Sequence, residues 1–119
     1  MNVINLAEKF ASFDDYANPR IVAELNGQHV KVGKLKGPFI WHHHENEDEL
    51  FLVVRGRLRM EFRNRAVTVG PGEMIVVPRM VEHRPVAEEE THIVLFEPAS
   101  TLNTGNVQNE LTRPKPDRI

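Results

Sequence analysis

A chain of 119 residues, 40% hydrophobic and 27% charged, has the make-up of one soluble globular domain. Its net charge of -2 supplies no field for nucleic acid or a membrane surface, and the absence of cysteine excludes disulfides, zinc ribbons and thiol catalysis. The Met1–Asn5 terminus lacks the basic and apolar regions of a signal peptide, and no apolar run approaches the roughly 18 residues needed to span a bilayer. A cytoplasmic location is therefore expected.

Residues 5–13 read as a helix. Asn5 and Glu8 have capping-box spacing, and Leu6, Phe10 and Phe13 form one apolar stripe. Asp14 to Pro19 is a loop. Strands follow from Arg20. Asn26-Gly27 between two apolar-rich runs predicts a two-residue hairpin with positive φ at both residues. Gly37-Pro38 marks a break, 39–44 reads as a strand, and Glu45 to Asp48 as a polar loop. Leu50–Val54 is a further strand. Leu58, Met60 and Phe62 alternate with Arg57, Arg59, Glu61 and Arg63, as in a strand with one wet face. Val67–Val69, Met74–Val77, Glu82–Val86 and Thr91–Glu97 complete about nine short strands. Their spacing favours a sandwich or barrel-like jelly roll over a βα fold. After Pro98 the periodicity is lost. Residues 99–111 are expected to cover a sheet end or a partner, and the Pro-rich end, 112–119, to fray.

The chemistry concentrates in His42-His43-His44, Glu49 and His83. Side chains alternate along a strand, so His42 and His44 share a face and His43 takes the other. The acidic loop returns Glu49 on a neighbouring strand, and His83 joins if the sheet closes. Imidazole and carboxylate suit a divalent first-row metal. A histidine triplet before Glu45-Asn46-Glu47-Asp48 also fits a plain solvated loop, and His83 alone reads as a surface or core residue.

The order of the set resembles the cupin superfamily. Gly37, His42, His44, Glu49 and Gly56 follow its first motif, with the leading glycine one residue close; Gly72, Pro78 and His83 follow its second. Met80 and Ala87 stand where that motif has Gly and Asn. The resemblance implies a small single-domain cupin: an all-β double-stranded β-helix, or jelly-roll barrel, with a short N-terminal helix. The single domain is 1–119, with a core of about 20–97, a helix at about 5–13 and a tail at 98–119. It also implies that His42, His44, Glu49 and His83 hold one divalent ion, Zn, Mn, Fe or Ni. If Met80 keeps the glycine's positive φ, the strain is about 1 kcal/mol or more.

Three neutral histidines and one carboxylate leave open positions on a six-coordinate ion for a small oxygenated molecule. The protein is thus expected to be a metal-dependent enzyme, a dioxygenase or an isomerase, or else a non-catalytic ligand-binding or sensing cupin. A structural barrel with a vestigial site is a third reading. Phe51, Met60 and Phe62 are the expected pocket lining. Glu45, Glu47 and Asp48 read as solvated loop charges, and His92 as a surface or pairing residue. No Lys or Arg clearly enters the barrel, which weakens a sugar-phosphate isomerase. Leu50, Leu52 and Val54 are apolar on the face opposite Glu49, Phe51 and Val53. Their burial requires the helix and tail or a second subunit, and a homodimer is expected.

Overall fold

The Asn26-Gly27 turn forms as its residues require. Both take positive φ, 49° and 76°, and join β1 (Arg20–Leu25) to β2 (Gln28–Pro38) with Leu25 opposite Gln28. The computed structural model describes residues 1–119. The remaining strands are β3 (Glu49–Arg55), β4 (Leu58–Phe62), β5 (Arg65–Val69), β6 (Met74–Val77) and β7 (His83–Pro98). All pair antiparallel, in the order β1-β2-β7-β3-β6, while β4 pairs with β5 and β7. The long β7 organises the fold. Its first residues pair with β4, its last with β3, and β2 runs beside it over most of its length.

Seven strands replace the nine expected, for two reasons. Segments 82–86 and 91–97 are one strand, because Glu88-Glu89-Glu90 contains no turn residue and stays extended as a register shift between the Ala87–Gly37 and Thr91–Leu35 pairings. Segment 39–44 is not a regular strand. Phe39 N–H donates to Pro85 O, and His42 exchanges both backbone bonds with His83, but Pro85 has no N–H to return. An isolated bridge at His42 is what remains.

The inward side chains Phe51, Val53, Leu58, Met60, Val69, Val77, Ile93 and Leu95 form one buried cluster. A second cluster lies on the outer face. Helix α1 (Leu6–Ala11) is capped by Asn5, whose side chain accepts from Glu8 N–H at 3.0 Å. It sets Phe10 on Val32 and Val94, with Leu6, Phe13 and Leu52 packed around them. Gln28 to Lys34 therefore presents Val30 and Val32 outward to the helix and turns His29 and Lys31 into the barrel.

The C-terminal end is pinned, contrary to the fraying expected of 112–119. Ile21 N–H donates to Asp117 O at 2.8 Å, Ile119 N–H to Ile21 O at 3.0 Å, and Arg118 pairs with Glu24 at 2.9 Å. The edge strand β1 thus gains a partner for its free backbone groups, which outweighs the loss of ladder bonds at the prolines. Residues 101–112 fold on themselves through the wholly buried Thr104, whose hydroxyl meets Val107 O and Thr112 Oγ1.

Candidate metal centre

His42 and His44 both turn inward, at 2% and 4% exposure, and His43 does not. The parity argument holds although the segment is irregular, because the bridge to His83 fixes the local pleat. Glu49 opens β3 and His83 opens β7, both buried. The two ligand-bearing loops are tied together. Met80 N–H donates to His44 O at 2.7 Å, and Arg79 N–H to Asp48 Oδ1 at 2.8 Å. Asp48 is thus a structural clamp as well as a loop charge. Met80 does adopt the positive φ of the motif glycine, 69°, with an exposed side chain. The backbone bond to His44 holds that turn in place of glycine's freedom.

The four side chains converge. One ligand atom from each of His42, His44, Glu49 and His83 lies within 4.8 Å of the others. Glu49 Oε1 sits 3.3 Å from His44 Nε2 and 3.5 Å from His83 Nε2. His42 Nδ1 and His83 Nδ1 each lie 2.9 Å from a backbone carbonyl, of Ile40 and Val81. Each Nδ1–H therefore donates outward and leaves an Nε2 lone pair aimed at the centre, the orientation a metal-ligating histidine needs. His44 Nε2, Glu49 Oε1 and His83 Nε2 are buried without hydrogen-bond partners. Orphaned polar atoms cost about 1–3 kcal/mol each, so three around one point fit a cation-binding site. The residues present could hold one divalent ion.

The electrostatics agree. Burial, with the neighbouring His83, pulls His42 down to about 4, so it is neutral and ready as a ligand near pH 7. Burial pushes the Glu49 carboxyl up, but its polar neighbours Glu97, His44 and His83 outweigh it and hold the group well below the usual range. Glu97 is driven well above that range, by burial and then by Glu49.

Glu97 and its partner Lys31 are the residues that sequence reasoning missed. Lys31 Nζ lies 2.8 Å from Glu97 Oε1, at 2% and 1% side-chain exposure. An interior Lys does exist, contrary to expectation. The alternation His29, Lys31, Gly33 was the available signal, but polar alternation alone does not say which face is wet.

A cavity of ≈ 40 Å³ adjoins the centre, lined by His42, Glu49, Leu35, Phe39, Phe51, Ile93 and Leu95. Pro85 of β7, and Ala17, Pro19 and Asn103 from the segments flanking the barrel strands, complete it. Phe51 lines it. Met60 and Phe62 do not: Met60 is wholly buried in the core cluster and Phe62 packs against it, because β4 pairs with β5 and the start of β7 and the space opens toward β2 and the second half of β7. His92 is buried, stacked on Phe10 at 4.7 Å and bonded to Glu90 at 2.7 Å.

An antiparallel barrel carrying three inward histidines and a glutamate defines a class of small β-barrel proteins with a buried metal-ligating cluster. Residues 27–97 match the cupin domain family, and the chain belongs to it. It is 44% identical, with a TM-score of 0.80, to the structure of a cupin-2 domain containing protein from Shewanella frigidimarina; the match covers 81% of this chain and 94% of that one. The structure of protein NMB1881 from Neisseria meningitidis is 33% identical, with a TM-score of 0.76, over 82% of this chain and 100% of that one. The uncharacterized protein YdbB of Bacillus subtilis is 31% identical over 78 residues, 65% of this chain and 63% of that protein, so the match spans less than two thirds of its length.

Proposed function

We propose that this protein is a divalent-metal-binding cupin that binds or acts on a small oxygenated molecule at the His42, His44, Glu49, His83 centre. The convergence of four buried ligand atoms, three of them without partners, carries the reading. A bound divalent ion would act as a Lewis acid toward an oxygen donor. The chain's own contribution is orientation and exclusion. Ile40 O and Val81 O fix two imidazoles, and the apolar walls of Leu35, Phe39, Phe51, Ile93 and Leu95 keep bulk water out. A space of ≈ 40 Å³ holds only a few water molecules. It favours a compact ligand with an apolar body and one or two oxygens, or movement of the Ala17–Pro19 and Asn103 segments. No side chain beyond the ligands is placed as a free acid or base in the cavity, since Asn103 spends its amide on Leu111 and Arg113. That favours non-catalytic binding as the second reading.

Metal analysis of untagged protein tests the proposal. One equivalent of a first-row metal is expected in wild type, and a large loss in Glu49→Ala and His83→Ala. Metal-free wild type that takes up none of Zn²⁺, Mn²⁺, Fe²⁺ or Ni²⁺ refutes it. Ligand and activity screens with and without O₂ then separate the enzymatic from the binding reading.

The chain's lack of cysteine and of any helix long and apolar enough to cross a membrane supports a cytoplasmic home. The outer sheet face supports a homodimer. Helix α1 covers Leu52, but Phe96, Leu50 and Val76 form one apolar row across β7, β3 and β6, and Met74 and Val54 extend it. Val76 is 53% and Met74 58% exposed. A second copy is the fitting occupant, because this row carries no charge and matches itself across a two-fold axis. Phe96→Asp should convert a dimer to monomer in light scattering, and wild type that is monomeric across micromolar concentrations refutes the pairing.

A further inference from the structure

The backbone register puts a second carboxyl beside the metal-ligating one. His29 pairs with Glu97, Phe96 with Leu50, and Glu49 with Val77. His29, Glu97, Glu49 and Val77 thus form one inward row across β2, β7, β3 and β6, and all four are buried. The Glu97 and Glu49 carboxyls are therefore inward neighbours on adjacent strands. Lys31, two residues along β2 from His29, reaches diagonally to Glu97 Oε1 at 2.8 Å. Glu97 Oε2 has no partner.

A buried ion pair is weak evidence for stability, since an apolar pair of similar volume usually serves as well. Here the pair occupies a core position next to the ligand set, and that location needs another reason. Glu49 has orphaned Oε1 facing His44 and His83, so the torsion of its carboxyl decides whether the oxygen meets an ion. Metal-ligating carboxylates are commonly fixed by such outer partners.

We propose that Glu97 is a positioning residue that fixes the orientation of the ligand Glu49, and that Lys31 anchors Glu97 in that place. The inference rests on the metal-centre reading and extends it to two residues outside the ligand set. Glu97 acts through Glu49 and does not itself bind the ion. Lys31 is an anchor whose ammonium is taken up by Glu97, so it is not a recognition group for an anionic substrate.

Two double variants test this, each avoiding a lone buried charge. Lys31→Met/Glu97→Gln keeps a polar side chain of the same length beside Glu49, whereas Lys31→Met/Glu97→Leu removes it. Zn²⁺ and Mn²⁺ affinities are read by competition with a chromophoric chelator, on protein shown to be folded by circular dichroism. The Met/Gln variant should bind within about threefold of wild type, and the Met/Leu variant about 10- to 100-fold more weakly. Glu97→Asp, which keeps the charge and withdraws the carboxyl by one methylene, gives the same readout if the Met/Leu variant fails to fold. It should weaken binding by about tenfold. Wild-type affinity in the Met/Leu variant, or in Glu97→Asp if that variant stands in, overturns the inference and leaves the metal centre intact. Wild type without metal removes the metal centre and this inference with it.

Discussion

Gly105→Ala probes how the C-terminal segment holds the metal loop. A Cβ at Gly105 would lie 2.2 Å from His43 O, 3.0 Å from His43 C and 3.1 Å from His42 Cδ2. The first contact is with backbone, so no side chain can rotate away, and the carbonyl must withdraw by roughly 1 Å. That carbonyl accepts from Asn106 N–H at 3.1 Å, while His43 N–H donates to Asn106 Oδ1 at 2.9 Å. Displacing the His43 backbone breaks both bonds, about 1 kcal/mol each, and alanine at a φ of +56° adds about 1 kcal/mol. The expected loss is about 3 kcal/mol, a fall of roughly 10 °C in Tm for a domain of this size. Metal affinity should fall with it, because His43 lies between His42 and His44. Gly72→Ala is the control. Gly72 has a similar φ, +78°, but nothing within 4 Å of a Cβ, so only the backbone strain of about 1 kcal/mol applies. Scanning calorimetry and chelator competition read both quantities. If Gly105→Ala melts with Gly72→Ala and binds metal like wild type, the tail is not coupled to the site.

Two further results are expected. Lys31→Met alone should destabilise the fold by about 1–3 kcal/mol in urea unfolding by leaving the buried Glu97 carboxyl without its hydrogen-bond donor, while Lys31→Met/Glu97→Leu should recover most of that; equal losses in both would contradict the pairing. Metal-free protein should lose stability on acidification, because His42 falls from 6.5 in the unfolded chain to about 4 in the fold. The folded state therefore binds fewer protons, and the stability present above pH 6.5 is lost progressively between 6.5 and 4, by up to about 3 kcal/mol. A flat urea midpoint across that window in wild type, or the same decline in His42→Gln, would contradict the assignment.

The candidate ligand set was legible because its signals are local. His42 and His44 sit two apart, so any extended backbone turns them the same way, even though segment 39–44 forms only a bridge. The turn at Asn26-Gly27 and the positive φ at Met80 were readable for the same reason: each depends on one residue's backbone. The boundary between 86 and 91 was misread because three consecutive glutamates look like a loop, whereas the ladder on both sides carries β7 through them.

What the sequence determined by itself is the strand-rich pattern, the helix with its Asn5 cap, and the four residues able to meet at one ion. Tertiary structure decided everything that depends on which face is inside. Helix α1 claims Val30 and Val32, so Lys31 and His29 enter the barrel, and a lysine that alternation alone would leave in solvent becomes Glu97's partner. It also decided that the cavity opens toward Leu35 and Phe39 and away from Met60 and Phe62, and that the tail closes on the His43 peptide and on β1. Period-two alternation fixes which residues share a face, but only packing against a distant segment fixes which face is buried.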